Sequence, residues 1–139
     1  MRNSVKYIPI DLRKDTFQYA PDEKDVLFAF VVNQSHSNDF VKNVAKNCAQ
    51  LRQWYHFYGA YESVWHQVFD RVFMDKFPDC DYKDVPMTSG FDDFAEFIEE
   101  LAMFYCYKVG YVPDEVYIFY DDEELFQALM QGVVAFAID

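Results

Sequence analysis

The sequence is poor in the residues from which phosphate loops, metal sites and disulfide frameworks are built. Only 4 of its 139 residues are glycine, and neither a phosphate-binding glycine loop nor a GxSxG turn is present. The 3 cysteines, Cys48, Cys80 and Cys106, are odd in number and show no CxxC spacing. His56 and His66 also lack partners at the spacing of zinc ligands. We therefore expect no enzymatic activity, no cofactor and no metal.

Long apolar runs and loop-forming residues are scarce as well. The longest uncharged apolar segments, Val26–Val32 and Leu101–Tyr107, are too short to span a bilayer, and the start of the chain lacks the apolar core of a signal peptide. A hydrophobic content of 52% excludes a disordered chain, and 4 Gly with 5 Pro leave little room for long loops. The sequence predicts a single globular domain over 1–139, located in the cytoplasm of a bacterial or phage-infected cell.

Basic residues are scarce in one half of the chain. Residues 1–70 contain 8 Lys and Arg and 8 Asp and Glu, whereas residues 71–139 contain 4 and 16, so the second half carries 4 − 16 = −12. This equals the net charge of the whole protein. Such a negative field repels nucleic acid and anionic membranes and favours a basic protein as partner. A role in solubility alone would produce the same composition.

Twelve of the 16 acids of the second half fall into three clusters. They are Asp92, Asp93, Glu96, Glu99 and Glu100; Asp121, Asp122, Glu123 and Glu124; and Asp79, Asp81 and Asp84. If the three clusters converge, the protein presents one extended anionic face, and all of these carboxylates are candidate partner-binding residues. If they point in different directions, they are ordinary solvated charges.

The first cluster lies on the clearest helix of the sequence. At about 100° of rotation per residue, its acids share one side of the helix, and aromatic and aliphatic residues fill the other. We predict an acidic amphipathic helix at about 90–108, with Ser89 as N-cap and Gly110 just beyond its end. Acids on successive turns stand about 5 to 6 Å apart, close to the spacing of phosphates along a nucleic-acid strand.

The remaining periodicity predicts an α+β fold, a helix-dominated single domain with a small sheet. Apolar residues at steps of three or four indicate helices at about 39–58, with Asn38 as cap, and at about 60–77, separated by Gly59. So short a connection indicates an antiparallel helix pair or a kinked helix. Residues 78–90, which contain two prolines and no periodicity, are predicted to be a loop.

Three segments have the composition of strands. Val5–Leu12 contains Pro9, which restricts it to an edge strand or an extended arm. The apolar run 26–32 fits a strand or a helix, and we favour the strand. Glu115–Tyr120 is the third strand, followed by a short helix from Asp121 or Asp122 to Met130. Residues 133–138 fit either a final strand or an extension of that helix.

A short aromatic segment resembles a known inhibitor family. Phe57-Tyr58-Gly59 followed by Trp65 is similar to the YYG…W segment of barstar, the acidic inhibitor of a small ribonuclease. In that family the Gly and the Trp are one residue further apart, and acids follow the Gly where this chain has uncharged residues. The resemblance therefore implies neither membership of that family nor any site residue.

The sequence best fits a non-enzymatic inhibitor that presents an acidic face to the basic, nucleic-acid-binding surface of another protein, as anti-CRISPR and anti-restriction proteins of phages and mobile elements do. One alternative is an immunity protein or antitoxin that neutralises a basic toxin through an aromatic hot spot. Another is a small enzyme or ligand-binding domain with no recognisable motif. We expect the partner to be a basic protein, either a nucleic-acid-binding enzyme or a toxin, and not nucleic acid itself or a membrane.

Overall fold

The structure, a computed structural model, describes residues 6–15, 25–103 and 113–138. Five strands and four α-helices follow one another in this part of the chain. In order they are β1 (Lys6–Asp11), β2 (Val26–Val31), α1 (Asn38–Cys48), β3 (Trp54–Tyr58), α2 (Glu62–Lys76), β4 (Met87–Phe91), α3 (Phe94–Met103), β5 (Glu115–Tyr120) and α4 (Glu123–Ile138), with a 3₁₀ turn at Tyr82–Asp84. The predicted helix-rich α+β class is confirmed.

The strands form one sheet, in the order β1-β5-β2-β3-β4, and every neighbouring pair is parallel. β2 lies at the centre, and all of its residues are buried. Parallel strands that are covered on both faces consist of unbroken apolar runs, which explains the segment VLFAFV. The strands predicted at 26–32 and at Glu115–Tyr120 are confirmed. β1 is an edge strand, as Pro9 indicated.

Alternate residues of β2 belong to two separate halves of the core. Phe28 and Phe30 pack with residues of α1 and α2, whereas Leu27 and Ala29 pack with residues of α3 and α4. The sheet is therefore a middle layer between two pairs of helices. Aromatic rings fill the first half, where Phe30 stacks on Phe119 with ring centroids 4.6 Å apart.

The predicted helix at 39–58 is wrong beyond Cys48. The helix α1 ends there, Arg52 adopts a left-handed φ of 69°, and Trp54–Tyr58 forms β3 between β2 and β4. A short apolar run that is buried on both sides cannot be distinguished from a helix by periodicity alone.

Because α1 and α2 each connect two parallel strands, both run opposite to the strands and in the same direction. The predicted antiparallel helix pair is therefore wrong, although α2 matches the helix predicted at 60–77.

The helices α1 and α3 do not begin where predicted. The helix α1 begins slightly earlier, and α3 begins later. The N-cap of α1 is Ser37, whose Oγ accepts a hydrogen bond from the Phe40 N–H, and not Asn38. The acidic helix α3 begins at Phe94 and not near residue 90, because Met87–Phe91 pairs with β3 as a strand. Ser89 is therefore in β4, and the predicted loop at 78–90 is wrong in its last part. The predicted helix end at 104–108 lies outside the described residues.

The last helix is longer than predicted. The helix α4 continues past Met130 to Ile138, so the alternatives for 133–138 are resolved in favour of a helix. Leu129 and Val133, one turn apart, are both buried in the core that α4 shares with α3. Gly132 lies against the side chain of Ile98, where a Cβ atom would come within 2.6 Å of it. The small residue lets the two helices approach closely.

Candidate functional site

The ends of the five strands lie in one row, which we call the carboxyl edge. The register pairs Asp11 with Tyr120, Tyr120 with Val31, Val31 with Tyr58, and Tyr58 with Phe91. Because the strands are parallel, the acids that follow β4, at 92–93, and those that follow β5, at 121–124, both lie at this edge. Three strand spacings separate β4 from β5, which places the two groups about 14 Å apart.

Four acids of the first cluster lie on the surface at the start of α3. Asp92, Asp93, Glu96 and Glu99 are all exposed. Asp93 caps the helix, because its Oδ1 accepts a hydrogen bond from the Glu96 N–H at 3.2 Å. In the described part of the chain, none of these four carboxylates forms an ion pair with Lys or Arg. We call Asp92, Glu96 and Glu99 the acidic ridge.

Glu100 is set apart from the acidic ridge by its burial. It is half-buried, and its Oε2 has no hydrogen-bond partner among the described residues. Burial, and to a smaller extent the neighbouring charge of Glu99, raises the pKa of the Glu100 carboxyl to about 7. At neutral pH this side chain is therefore only partly charged, and it contributes less to the negative field than its neighbours do.

Asp121, in the second cluster, is a buried anchor. It is 1% exposed, and its carboxylate accepts hydrogen bonds from the backbone N–H groups of Asn33, at 2.7 Å, and Gln34, at 3.1 Å. The Nε2 atom of His36 lies 2.8 Å from Asp121 Oδ2. Asp121 thereby ties the segment after β2 to the end of β5, and it is not accessible to a partner.

Of the other acids in the second cluster, one caps the helix α4 and two lie on the surface. Asp122 is half-buried, and its Oδ1 accepts a hydrogen bond from the Leu125 N–H at 3.1 Å, which lowers the pKa of Asp122 and confirms it as the cap of α4. Glu123 and Glu124 are exposed. Arg13 is bound to Asp11, with its Nε 2.9 Å from Asp11 Oδ1, and its Nη2 is 3.9 Å from Glu123 Oε1.

The third cluster lies at the other end of the strands, away from the carboxyl edge. The helix α2 starts after the carboxyl end of β3 and runs back, so the segment that holds Asp79, Asp81 and Asp84 lies where the strands begin. This is about 13 Å from the carboxyl edge, the length of β4. Asp79 and Asp81 are exposed, and Asp84 Oδ1 is 2.7 Å from Arg52 Nε. The structure therefore brings two of the three clusters together and not the third.

The two helical layers differ sharply in charge. The layer of α1 and α2, counted with the two residues before each helix (36–48 and 60–76), contains four acids and four bases, which are Asp39, Glu62, Asp70, Asp75, Lys42, Lys46, Arg71 and Lys76. The other layer, residues 92–103 and 121–138, contains nine acids, 92, 93, 96, 99, 100 and 121–124, and no Lys or Arg. Their net charges are 4 − 4 = 0 and 0 − 9 = −9 before the protonation of Glu100 is considered. We call the second the acidic layer.

A groove between α2 and β4 contains acids that the sequence analysis did not single out. It is lined by Glu62, Ser63, His66, Gln67, Asp70, Gly90 and Asp92, and none of these is basic apart from the histidine. Glu62, His66 and Asp70 recur at intervals of four residues, so they share one side of α2. The Thr88 hydroxyl of β4 donates a hydrogen bond to Asp70 Oδ1 at 2.9 Å and lies 3.0 Å from His66 Nε2. That four-residue spacing was a visible signal in the sequence.

The carboxyl edge does not have the features of a phosphate-binding crevice in the described residues. In open parallel sheets, ligands bind where neighbouring connections leave the sheet on opposite faces. Here this occurs between β3 and β4, where the acids Glu62 and Asp92 line the cleft, and also between β2 and β5. Asp121 closes the point between β2 and β5 with the hydrogen bonds described above. Side chains of Ser37, Asp93 and Asp122 already occupy the N-termini of three helices. Acids at the same edge would repel a phosphate.

The histidines and the cysteine considered as metal ligands are far apart. His56 lies on the acidic-layer side of β3, stacked on Phe91, whereas His66 lies on α2 on the other side of the sheet. Cys80 lies in the segment that joins α2 to β4. Among the described residues, no group of three or more His, Cys, Asp or Glu side chains is arranged to hold a metal ion.

Within the described ranges, no helix is both long enough and apolar enough to cross a membrane. A scan against protein-family models, a search of curated proteins and a search of solved structures found no match to this chain.

Proposed function

We propose that this protein is a non-enzymatic inhibitor or interaction protein whose acidic layer binds the basic, nucleic-acid-binding surface of another protein. The observation that carries the proposal is the difference of charge between the two helical layers with their leading residues, 0 for residues 36–48 and 60–76 and −9 for residues 92–103 and 121–138. A field confined to one side orients the protein as it approaches a basic partner and raises the association rate.

The spacing of the acidic ridge supports this proposal. Asp92, Glu96 and Glu99 lie four and three residues apart, so their carboxylates stand about 5 to 6 Å apart on one side of α3. A basic groove that accommodates the phosphates of a nucleic-acid strand presents its Lys and Arg side chains at a similar spacing. The ridge therefore fits a surface of that kind better than it fits a single basic pocket.

Inhibition of one cognate basic toxin is the second candidate function. It is favoured by Tyr82, which is 93% exposed, and by the exposed Met74 and Val85 nearby in the chain. Tyrosine and methionine are enriched at protein interfaces, so exposed side chains of these types within one segment of the chain would supply a binding hot spot. In that case the interface would centre on the segment after α2 and not on the acidic layer.

The first experiment is affinity capture with the intact protein. The immobilised protein is exposed to a cell lysate at low salt, and bound proteins are eluted in parallel with high salt and with short duplex DNA at constant salt. We expect basic nucleic-acid-binding proteins to be released by both treatments, because DNA competes for the same surface. Retention of all bound proteins in the presence of both competitors would contradict the proposal. Capture of a single protein that only high salt releases would favour the toxin.

A further inference from the structure

Within the described residues, the strand β4 is an open edge of the sheet. It pairs with β3 alone, and Met87 donates its backbone N–H toward the β3 side, to the Gln53 carbonyl at 3.0 Å. Backbone groups of successive residues point to alternate sides of a strand, so those of Thr88 and Gly90 point away from the sheet. Neither of these two residues has a backbone partner on that side within the described part of the chain.

Nothing in the sequence of β4 protects this edge. Natural edge strands are commonly protected by Pro, Lys or a covering element. At the opposite edge, β1 contains both Lys6 and Pro9, whereas β4, MTSGF, contains no charged residue and no proline. Met87 at its start is exposed, and so is Gly90. The two edge strands therefore differ in sequence, and among the described residues β4 is the edge strand that has neither a charged residue nor a proline to keep another strand away.

The surroundings of β4 determine what kind of strand fits. The groove described above presents the carboxylates of Glu62 and Asp70 from α2, and that of Asp92 from the end of β4, without any Lys or Arg. The Glu62 carboxylate lies directly over Gly90, because the glycine has no side chain to displace it. An added strand places every second side chain on this face of the sheet. Basic side chains at alternate positions would therefore meet Glu62 and Asp70.

We infer that β4 takes up an extended basic segment of the partner as a sixth strand of the sheet, with Lys or Arg side chains facing Glu62 and Asp70. This inference rests on the proposed function, because it assumes a basic partner. Backbone hydrogen bonds to Thr88 and Gly90 supply the pairing, and the acids select the charge of the segment. A second copy of the chain fits less well, because pairing two β4 strands would bring Glu62, Asp70 and Asp92 of both copies together.

The test uses a short peptide of alternating lysine and valine as the probe, with the full-length protein. The matched control peptide has the same composition, with its lysines and valines in two separate blocks. We expect the alternating peptide to bind and to slow the hydrogen exchange of the Thr88 and Gly90 amides by roughly tenfold or more, because these amides become strand-paired. We expect the block peptide to leave both exchange rates unchanged.

Two protein variants complete the test. Thr88→Pro removes an outward N–H and should weaken binding of the alternating peptide by roughly tenfold, whereas Thr88→Val removes only the hydroxyl and should weaken it by less than about threefold. Circular dichroism establishes that both variants are folded. If Thr88→Pro does not fold, the inference is tested by the hydrogen-exchange rates of the Thr88 and Gly90 amides in the unaltered protein with each of the two peptides. Equal binding of the two peptides, unchanged exchange at both amides, or protection of these amides by dimerisation in the absence of peptide would overturn the inference.

The failure of this inference can be distinguished from failure of the proposed function. If DNA and salt release captured basic proteins while the β4 amides remain unaffected by the peptide, the acidic layer binds the partner and the edge strand does not. If the peptide pairs with β4 while DNA and high salt release nothing from the immobilised protein, the edge strand binds and the acidic layer has no such partner.

Discussion

At the scale of single residues, Asp121 determines the conformation of the carboxyl edge. Its buried carboxylate accepts hydrogen bonds from two backbone N–H groups after β2 and lies beside His36. A carboxylate in this position holds a loop whose two N–H donors have no other hydrogen-bond partner among the described residues. The acid therefore stabilises the fold instead of binding a partner.

Replacing Asp121 should destabilise the protein. We expect Asp121→Asn to lower the free energy of unfolding by about 2 to 4 kcal/mol, because an amide accepts fewer of these hydrogen bonds and leaves a donor unpaired. Urea denaturation measures the change. Glu124→Gln, at an exposed position on the same segment, is the matched control and should change the value by less than about 0.5 kcal/mol. Equal effects of the two substitutions would show that Asp121 does not anchor the loop.

His56 makes the stability depend on pH in the acid range. It is 2% exposed, neither ring nitrogen has a hydrogen-bond partner in the described structure, and burial lowers its pKa from 6.5 to about 3. Below pH 6.5 the unfolded chain binds a proton that the folded protein does not bind, so stability decreases as the pH falls from 6.5 toward 3. The ring stacks on Phe91 with centroids 5.2 Å apart, a contact that phenylalanine can also make.

We therefore expect His56→Phe to remove this acid sensitivity. The stability of the variant relative to the unaltered protein should rise by up to about 1.4 kcal/mol per pH unit below pH 6.5 and remain constant above pH 7.5. Urea denaturation at a series of pH values tests this slope, which is independent of any constant packing difference between the two rings. A difference in stability that does not change with pH would contradict the account.

Glu100 makes the stability of the protein depend on pH in the opposite sense to His56. Its pKa is raised from 4.5 to about 7, so the folded protein binds a proton more tightly than the unfolded chain does, and stability decreases as the pH rises from 4.5 to 7. Glu100→Gln should abolish this decrease and stabilise the protein above pH 7 by about 1 kcal/mol, a value that allows for partial exposure. Denaturation at pH 5 and pH 8 provides the measurement. The exposed Glu96→Gln should not alter the difference between these two pH values.

At the scale of elements, Gly59 sets the turn between β3 and α2. Its φ is 120°, and a Cβ atom at this position would overlap the Val32 carbonyl, which accepts a hydrogen bond from the Tyr61 N–H. Backbone atoms cannot move aside as a side chain can. Both the conformation and the close approach therefore require glycine.

Gly59→Ala should lower the free energy of unfolding by about 2 to 4 kcal/mol, because strain and overlap with the backbone add together. Gly90→Ala is the matched comparison, since the group that its Cβ atom would meet is the flexible side chain of Glu62. We expect that substitution to cost less than about 1 kcal/mol. Thermal or urea denaturation compares the two variants, and a larger effect at Gly90 would be incompatible with the turn described here.

Elements with strong local patterns could be predicted from the sequence, and those that depend on distant partners could not. The run VLFAFV and the amphipathic helix around Glu96 were predicted because their apolar residues alone indicate their burial. The strand Trp54–Tyr58 was read as helix, since a run of buried aromatic residues fits both structures. Met87–Phe91 carries no apolar alternation, because it is a half-covered edge strand defined by its pairing with β3.

The candidate site was predictable in composition but not in arrangement. The exposed ridge of Asp92, Glu96 and Glu99 follows from helical spacing within one segment. The burial of Asp121 could not be inferred, because its hydrogen-bond donors come from residues about 90 positions earlier in the chain. The separation of the 79–84 cluster also depends on the order of the strands, which no local pattern encodes.

At the scale of the whole molecule, the net charge of −12 is distributed unevenly between two sides of one sheet. The acidic layer contains nine acids without Lys or Arg, and the layer of α1 and α2 is balanced. A protein that used its charge only for solubility would have no reason to confine it to one layer. The open edge strand β4 adjoins both layers, so a partner held by the acidic layer is also within reach of β4.

The most direct test compares two double variants that alter charge equally on opposite layers. Glu96→Lys with Glu99→Lys reverses the acidic ridge, and Asp39→Lys with Asp75→Lys reverses exposed acids of α1 and α2. Each raises the net charge from −12 to −12 + 4 = −8.

The measurement is the dissociation constant of each variant for the captured basic partner over a range of salt concentrations. We expect the acidic-layer variant to bind roughly tenfold more weakly and with a shallower salt dependence, and the other to stay within about threefold of the unaltered protein. Equal losses for the two variants, or no loss for either, would contradict the assignment of binding to the acidic layer.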